Sequence, residues 1–292
     1  MAEREQFVSR SQTWKLTVAY DGTDFSGWQI QPGERTIQGE LQGALGRVTG
    51  ESPLPQGSGR TDAGVHALGQ VASFELQADI PPENLQRALN RNLPPAIRII
   101  ESETVPASFH ARHSAVAKTY EYRVFREPIC PPFLVRYAHV CPWPLDFGAL
   151  KRSAALFEGI HDFLSFSATD PDLASRSVSS GAGRDEGLTP APGPAGKQGS
   201  FRTIYSSTWE HRDSEDGGFL IYRVRGNGFL HHMVRNLVGT MLDVGRGHLD
   251  IGRIPEILAA RSRSAAGPTA PAQGLFLHSV EYPACEDRLI GA

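Results

Sequence analysis

The amino-acid sequence predicts an α+β fold, and three observations carry that reading. Stretches of alternating polar and apolar residues interleave with helix-period apolar stripes in mixed order. The second half of the chain follows the first in style, strand and helix in similar succession, although no sequence periodicity marks a repeat. Composition is the third: 292 residues, 40% hydrophobic and 21% charged, can bury a core without cross-links. Together they predict two similar sheet-plus-helix halves side by side, forming a continuous antiparallel-rich sheet with one face free of helices.

Each element follows from its residues. Trp14, Leu16, Val18 and Tyr20 alternate with Lys15, Thr17 and Ala19, the pattern of a half-buried strand. Thr36 to Gly50 reads as a helix, with Ile37, Leu41, Ala44, Leu45 and Val48 on one face and Gly50 where a stop belongs. Strands are expected near 68–76 and 97–105, with a helix over 83–91 that Pro94-Pro95 terminates. Ala117 to Phe125 is a further strand. In the second half Asp146 opens a helix facing inward through Leu150, Ala154 and Phe157. Strands near 202–210 and 219–226 precede a helix from about Leu230 to Val244. Pro255 begins a shorter helix, and Leu275 to Tyr282 closes the fold as a strand.

This gives a flexible tail over 1–13, an N-terminal half over 14–112, a C-terminal half over 113–283 and a tail over 284–292. Thr169 to Ser200 is rich in Gly, Pro, Ser and Ala. It lacks the apolar residues to fold alone and is expected to be a flexible insert, either a flap over a site or a tolerated insertion.

The three cysteines, Cys130, Cys141 and Cys285, are scattered, so neither a disulfide framework nor a zinc site is indicated. The first dozen residues are polar, and no apolar run is long enough to span a membrane. The expected compartment is the cytoplasm. Formal net charge is −3, which weighs against a nucleic-acid partner. Yet four cations stand against Glu121 between Arg112 and Arg126, and four against Asp243 between Arg223 and Arg246. Two readings stand: a local groove for an anionic ligand, or two solvated strand faces.

The most informative segment is Gly57-Ser-Gly-Arg-Thr-Asp-Ala-Gly-Val-His-Ala67. Gly57, Gly59 and Gly64 permit sharp turning and close approach of a ligand to the main chain. Asp62 lies among small residues, with Arg60 and His66 flanking it, and a neighbouring cation favours the ionised carboxylate. Such an acid is a nucleophile, a general base or a metal ligand; the bland alternative is a turn or helix cap. The loop runs straight into a strand, an arrangement suited to presenting a reactive group.

Four other segments carry chemistry. Phe109-His-Ala-Arg-His113 holds an aromatic, a cation and two imidazoles. Lys118-Thr-Tyr-Glu-Tyr-Arg123 places Tyr120 in a basic strand, as either a packed ring or a stacking platform. Gly226-Asn-Gly-Phe-Leu-His-His-Met-Val-Arg-Asn236 leads into a helix, with Arg235 either a surface cation or a partly buried, paired one. Gln273-Gly-Leu-Phe-Leu277 begins the last strand. His231 and His232, if helical, would point about 100° apart and could not readily share one ion. No second cluster supports them, so no metal is expected.

These motifs, in this order, resemble the tRNA pseudouridine synthase A family. Tyr20-Asp21-Gly22 and Gly27-Trp28-Gln29 add to the likeness, which runs from about Trp14 to Pro283. The resemblance implies a pseudouridine synthase-like α+β fold, two halves around a central cleft. It implies conversion of uridines at positions 38, 39 and 40 of the tRNA anticodon stem-loop into pseudouridine, without a cofactor, by a homodimer with tRNA lying across both subunits. Asp62 matches the catalytic aspartate, Tyr120 the tyrosine that packs on the target base, and Arg235 the arginine that pairs with the aspartate. Arg60 matches the arginine that helps hold the flipped nucleotide, and Leu275 a leucine lining the pocket. Phe109, His110, Ala111, Arg112 and His113 match a segment that contacts tRNA. The insert over 169–200 is longer than the family usually has there, and no RNA contact is carried over from it.

The chemistry agrees with these roles. A stem uridine must leave its stack, at a cost of a few kcal/mol, on the order of one stacking step, before its sugar can be reached. A carboxylate suits attack at the anomeric carbon or deprotonation of the neighbouring sugar carbon, and a single acid favours rearrangement over hydrolysis, which uses two. The Gly-rich loops lack the Gly-Lys-Ser/Thr ending of a nucleotide-binding loop. A binding protein without catalysis and a synthase acting on another uridine are the alternatives.

Overall fold

The computed structural model describes residues 11–168, 199–214 and 217–283. The insert expected over 169–200 lies outside them apart from its last two residues, as do the tail over 284–292 and all but the end of the expected N-terminal tail. The α+β class holds: the described residues form ten strands and five α-helices. They fall into two compact units, one of residues up to Glu121 together with those from Ala272, the other spanning Tyr122–Pro271.

In the first unit, β1 (Gln12–Tyr20) is central, beginning two residues before the expected strand. It pairs antiparallel with β3 (His66–Leu76) through Trp14↔Phe74 and Leu16↔Ala72. On its other edge it pairs with β4 (Ile97–Val105) through Trp14↔Thr104 and Val18↔Ile99. The alternation seen in the sequence is the burial pattern, since Trp14, Leu16 and Val18 are fully enclosed. β10 (Leu275–Glu281) comes from the far end of the chain and runs parallel to β3, with Phe276↔His66 and Leu277↔Ala67. β2, only Gln56–Gly57, pairs with Ser73 and Ala72 of β3.

Helix α1 (Ile37–Thr49) starts behind Thr36, whose side chain accepts from the Gly39 amide, and stops at Gly50 as the sequence predicts. Its apolar stripe Ile37, Leu41, Ala44 and Leu45 is buried. Helix α2 (Pro82–Asn92) buries Leu85 and Leu89. It is tied to β4 by Asn90, whose amide nitrogen donates to the Ile99 carbonyl and whose amide oxygen accepts from the Ile99 N–H, both at 2.9 Å. β5 (Ala117–Phe125) has its first five residues in this unit and its last four in the other.

The second unit is organised by the hairpin of β8 (Phe201–Ser214) and β9 (Gly217–Gly226), in register through Trp209↔Tyr222 and Ser207↔Val224. β7 (Gly159–Asp162) adds to β8, and β6 (His139–Val140) runs parallel to the end of β5. Helix α3 (Phe147–Ala155) starts at Asp146, whose carboxylate accepts from the Ala149 amide at 2.9 Å. Helix α4 (Met233–Gly245) is the core of the unit: Leu237, Val238, Thr240 and Met241 are fully buried. Helix α5 (Arg253–Ala260) begins two residues before Pro255, which sits in the first turn, where its missing N–H is not needed. No helix among the described residues is long and apolar enough to cross a membrane.

Candidate active site

The Asp62 loop belongs to the first unit and is bound along its length. At its start the Ser58 amide donates to the Val71 carbonyl at 2.7 Å, extending the β2–β3 pairing. The Ser58 hydroxyl donates to Gln70 Oε1 at 2.7 Å, and Gln70 Nε2 donates to the Gly59 carbonyl at 2.9 Å. Lys118, two residues before Tyr120 on β5, donates from Nζ to the Ser58 carbonyl at 2.5 Å. At Thr61 the carbonyl accepts from the Trp28 amide at 3.0 Å, and the hydroxyl lies 2.8 Å from that of Tyr20. Beyond Asp62 the chain turns at once: the Val65 amide donates to the Asp62 carbonyl at 3.1 Å. Gly64 takes φ 76° there, a conformation side chains disfavour.

The neighbouring Tyr20-Asp21-Gly22 segment locks against the end of this turn. The Gly22 amide lies 3.1 Å from His66 Nδ1, and Asp21 Oδ1 lies 3.2 Å from the same nitrogen. His66 is buried and stacks on Phe276 with ring centroids 4.7 Å apart. A Cβ on Gly22 would meet the Val65 carbonyl oxygen at 2.0 Å, so only glycine fits this approach.

Asp62 is half-buried and Arg60 exposed. Tyr120 is buried close to Asp62: burial first, then the charges of Tyr20 and Asp62, push its hydroxyl far above the usual tyrosine range. Leu275 is buried at the start of β10, one residue before the Phe276↔His66 pairing. Thus Asp62 and Tyr120, separated by 58 positions in sequence, are brought together within one unit.

The Phe109–His113 segment is anchored in the same unit. The Phe109 ring lies 4.9 Å from that of Tyr282, and the Tyr282 hydroxyl donates to the Ala111 carbonyl at 2.7 Å. Ala111 is fully buried, its amide donating to Ser73 Oγ at 3.0 Å. His110 Nδ1 accepts from the Arg112 and His113 amides, and burial, then His113, hold its pKa below the ordinary value. Arg112 and His113 are exposed, so the segment presents a cation and an imidazole outward.

Arg235 stands in the second unit, on the first turn of α4 and half-buried. Its Nε donates to the Ala270 carbonyl at 2.7 Å, and the Ala270 amide donates to the Arg235 carbonyl at 3.1 Å. Its charge acts on Tyr122, whose hydroxyl donates to the Pro271 carbonyl at 2.9 Å. The helix begins at Met233, not near Leu230, because His232 takes φ 58°. The two histidines therefore precede the helix, and their rings lie 4.0 Å apart rather than splayed by helical geometry.

The Tyr20–Thr61 bond, the Gln70 amide and the Lys118 contact were not foreseen as parts of the site. Gln70 had a signal: it is a polar residue amid Leu68 to Leu76 of a buried strand, and it is fully enclosed. Lys118 stood in a motif without an assigned role.

A carboxylate on a loop held along its length, within electrostatic reach of a buried tyrosine, is the kind of site an enzyme builds. Comparison with known proteins agrees. The family described as tRNA pseudouridine synthase matches residues 16–114 and 192–283. A tRNA pseudouridine synthase A of Solibacter usitatus is 49% identical over 269 residues, 92% of this chain and 98% of the relative. Those of Moorella thermoacetica and Bacillus pumilus are 43% and 42% identical, each over 92% of this chain and 98% of the relative. The chain belongs to the tRNA pseudouridine synthase family. It is an isomerase that turns uridine into pseudouridine in tRNA.

Proposed function

We propose that this protein modifies the uridines at positions 38, 39 and 40 of the anticodon stem-loop, with Asp62 as the reacting carboxylate. The observation that carries the reading is Asp62 itself: half-buried, on a loop fixed on both sides, beside Tyr120. In the reaction the bond between the sugar and N1 breaks, the base turns, and carbon 5 bonds to the sugar. The proton of carbon 5 is lost and N1 regains one. Asp62 starts this either by adding to the anomeric carbon or by taking a proton from the adjacent sugar carbon. Tyr120 packs on the flipped base. Arg60, exposed at the loop, helps hold the extruded nucleotide, Leu275 lines the pocket, and the Phe109–His113 segment contacts the RNA. Arg235 joins the catalytic set on the strength of its motif alone. No metal or cofactor is assigned, because the rearrangement is neither a redox nor a group-transfer step between molecules.

We further propose a homodimer working in the cytoplasm. Ile129, Phe133, Val135 and Trp143, four large apolar side chains within a short stretch, are exposed, Ile129 and Phe133 at 86%. Apolar surface of this kind favours a protein partner, and a second copy is the one we assign.

The decisive experiment is Asp62→Asn, followed by tritium release from tRNA labelled at carbon 5 of uridine. Turnover should vanish while tRNA affinity stays near the wild-type value. Substantial turnover by the variant would remove Asp62 from the reaction. Exhaustive chelation should leave the wild-type rate unchanged, and zinc-dependent restoration after EDTA would assign a metal instead.

A further inference from the structure

We propose that Tyr20 is a positioning residue for catalysis: its buried hydroxyl, bonded to Thr61, fixes the main chain that aims the Asp62 carboxylate. The inference rests on the reading of Asp62 as the reacting acid.

Tyr20 ends β1 and is buried, as is Thr61. Their hydroxyls are 2.8 Å apart. Thr61 is β-branched and therefore stiff about χ1. With its hydroxyl held by Tyr20 and its carbonyl held by the Trp28 amide, the peptide entering Asp62 has little freedom. The Val65 amide holds the Asp62 carbonyl on the other side. A reacting group must be placed to a fraction of an ångström, and a main chain fixed at both neighbours does that.

Two further observations place this hydroxyl in the machinery rather than in the core packing. The neighbouring Gln70 side chain, fully buried, holds Ser58 and Gly59 of the same loop. Buried polar groups thus hold the loop at three points, Gln70 at Ser58 and Gly59 and Tyr20 at Thr61. Moreover, the β1–β3 register shifts between Val18 and Tyr20, from Val18↔Gln70 to Tyr20↔Ala67. The extra residue of this bulge lies on β3 between Ala67 and Gln70, where Tyr20 and Gln70 converge; bulges beside active sites commonly re-aim side chains.

The test compares Tyr20→Phe, Thr61→Val, Thr61→Ser and the Tyr20→Phe/Thr61→Val double variant with wild type and Asp62→Asn. Single-turnover tritium release is measured at saturating tRNA, with tRNA affinity and melting temperature in parallel. Tyr20→Phe and Thr61→Val should each slow the chemical step by about 10- to 100-fold, the scale of a small misplacement of a reacting group. Affinity for tRNA should be unchanged, and Thr61→Ser, which keeps the hydroxyl but loses the stiff χ1, should be faster than Thr61→Val and slower than wild type. The double variant should be no slower than the slower single one, since both remove the same bond. A wild-type rate in Tyr20→Phe with only a lowered melting temperature overturns the proposal, as do losses that multiply in the double variant. If Asp62→Asn is inert while Tyr20→Phe is fully active, the positioning role alone fails. If Asp62→Asn turns over, the underlying assignment of the acid fails.

Discussion

Tyr120 is held protonated beside Asp62. Burial does most of this, Tyr20 adds to it, and the Asp62 carboxylate adds further by opposing a second negative charge. The phenol is therefore neutral at neutral pH and able to donate a hydrogen bond. It becomes a base for the carbon 5 proton only by first giving up its own proton in an environment that resists the charge.

Tyr120→Phe and Tyr120→Leu should consequently separate two roles. Phe retains the ring and should bind tRNA as tightly as wild type, while lowering turnover because the hydroxyl is missing. Leu should also lose about 1–3 kcal/mol of binding, the usual worth of a base stacked on an aromatic. Titration of labelled anticodon stem-loop alongside tritium release reads both. A fully active Phe variant would leave the ring as the whole contribution of Tyr120.

His139 should make the second unit sensitive to acid. Burial first, and Arg246 second, lower its pKa from 6.5 to about 4. Its Nδ1 is buried without a hydrogen-bond partner, and the ring meets Tyr122 edge-on at 6.2 Å. The folded state thus resists the proton that the unfolded chain accepts. The corresponding stability is fully present above about pH 6.5 and is lost as pH falls toward 4. Allowing for the ring's partial exposure, we expect a loss of about 1–2 kcal/mol across that window. Urea midpoints at both ends of the window should show a smaller drop for His139→Gln than for wild type; equal drops would clear His139 of the effect.

Phe133→Glu should convert a dimer into a monomer. Phe133 is exposed on this chain, and a carboxylate buried at a contact between copies would be costly. Sedimentation equilibrium of wild type and variant over a range of concentrations measures it. A wild-type protein that stays monomeric throughout would remove the homodimer from the proposal.

Much of the architecture is legible in the sequence because it depends on local rules. Thr36 and Gly50 bracket α1 where capping chemistry puts them, and the alternation from Trp14 to Tyr20 is the buried face of β1. The turn after Asp62 is equally plain, since Gly64 signals a sharp bend and takes φ 76° there. What local rules do not show are features made by distant partners. β2 and β6 are two residues each, too short for any periodicity, and exist because β3 and β5 offer them an edge. The left-handed turn at His232 has no local signal, so the start of α4 is misplaced by three residues in the sequence reading. Tyr20 and Thr61 are 41 positions apart, and their hydrogen bond follows only once β1 and the loop are packed.

The parallel pairing of β10 with β3 bears on how the protein comes into being. The strand that ends the Asp62 loop gets this neighbour from residues 276 and 277, more than two hundred positions later. On the ribosome β1, β3 and β4 can assemble early, but His66 receives its Phe276 platform only after residue 276 has emerged. Closing so long a loop is slow compared with forming hairpins. Until then β3 has an open edge at the very turn that presents Asp62, a place where other strands could pair. Completion of the candidate site therefore waits on a segment more than two hundred positions downstream, and a nascent chain that can already fold its hairpins has yet to finish it.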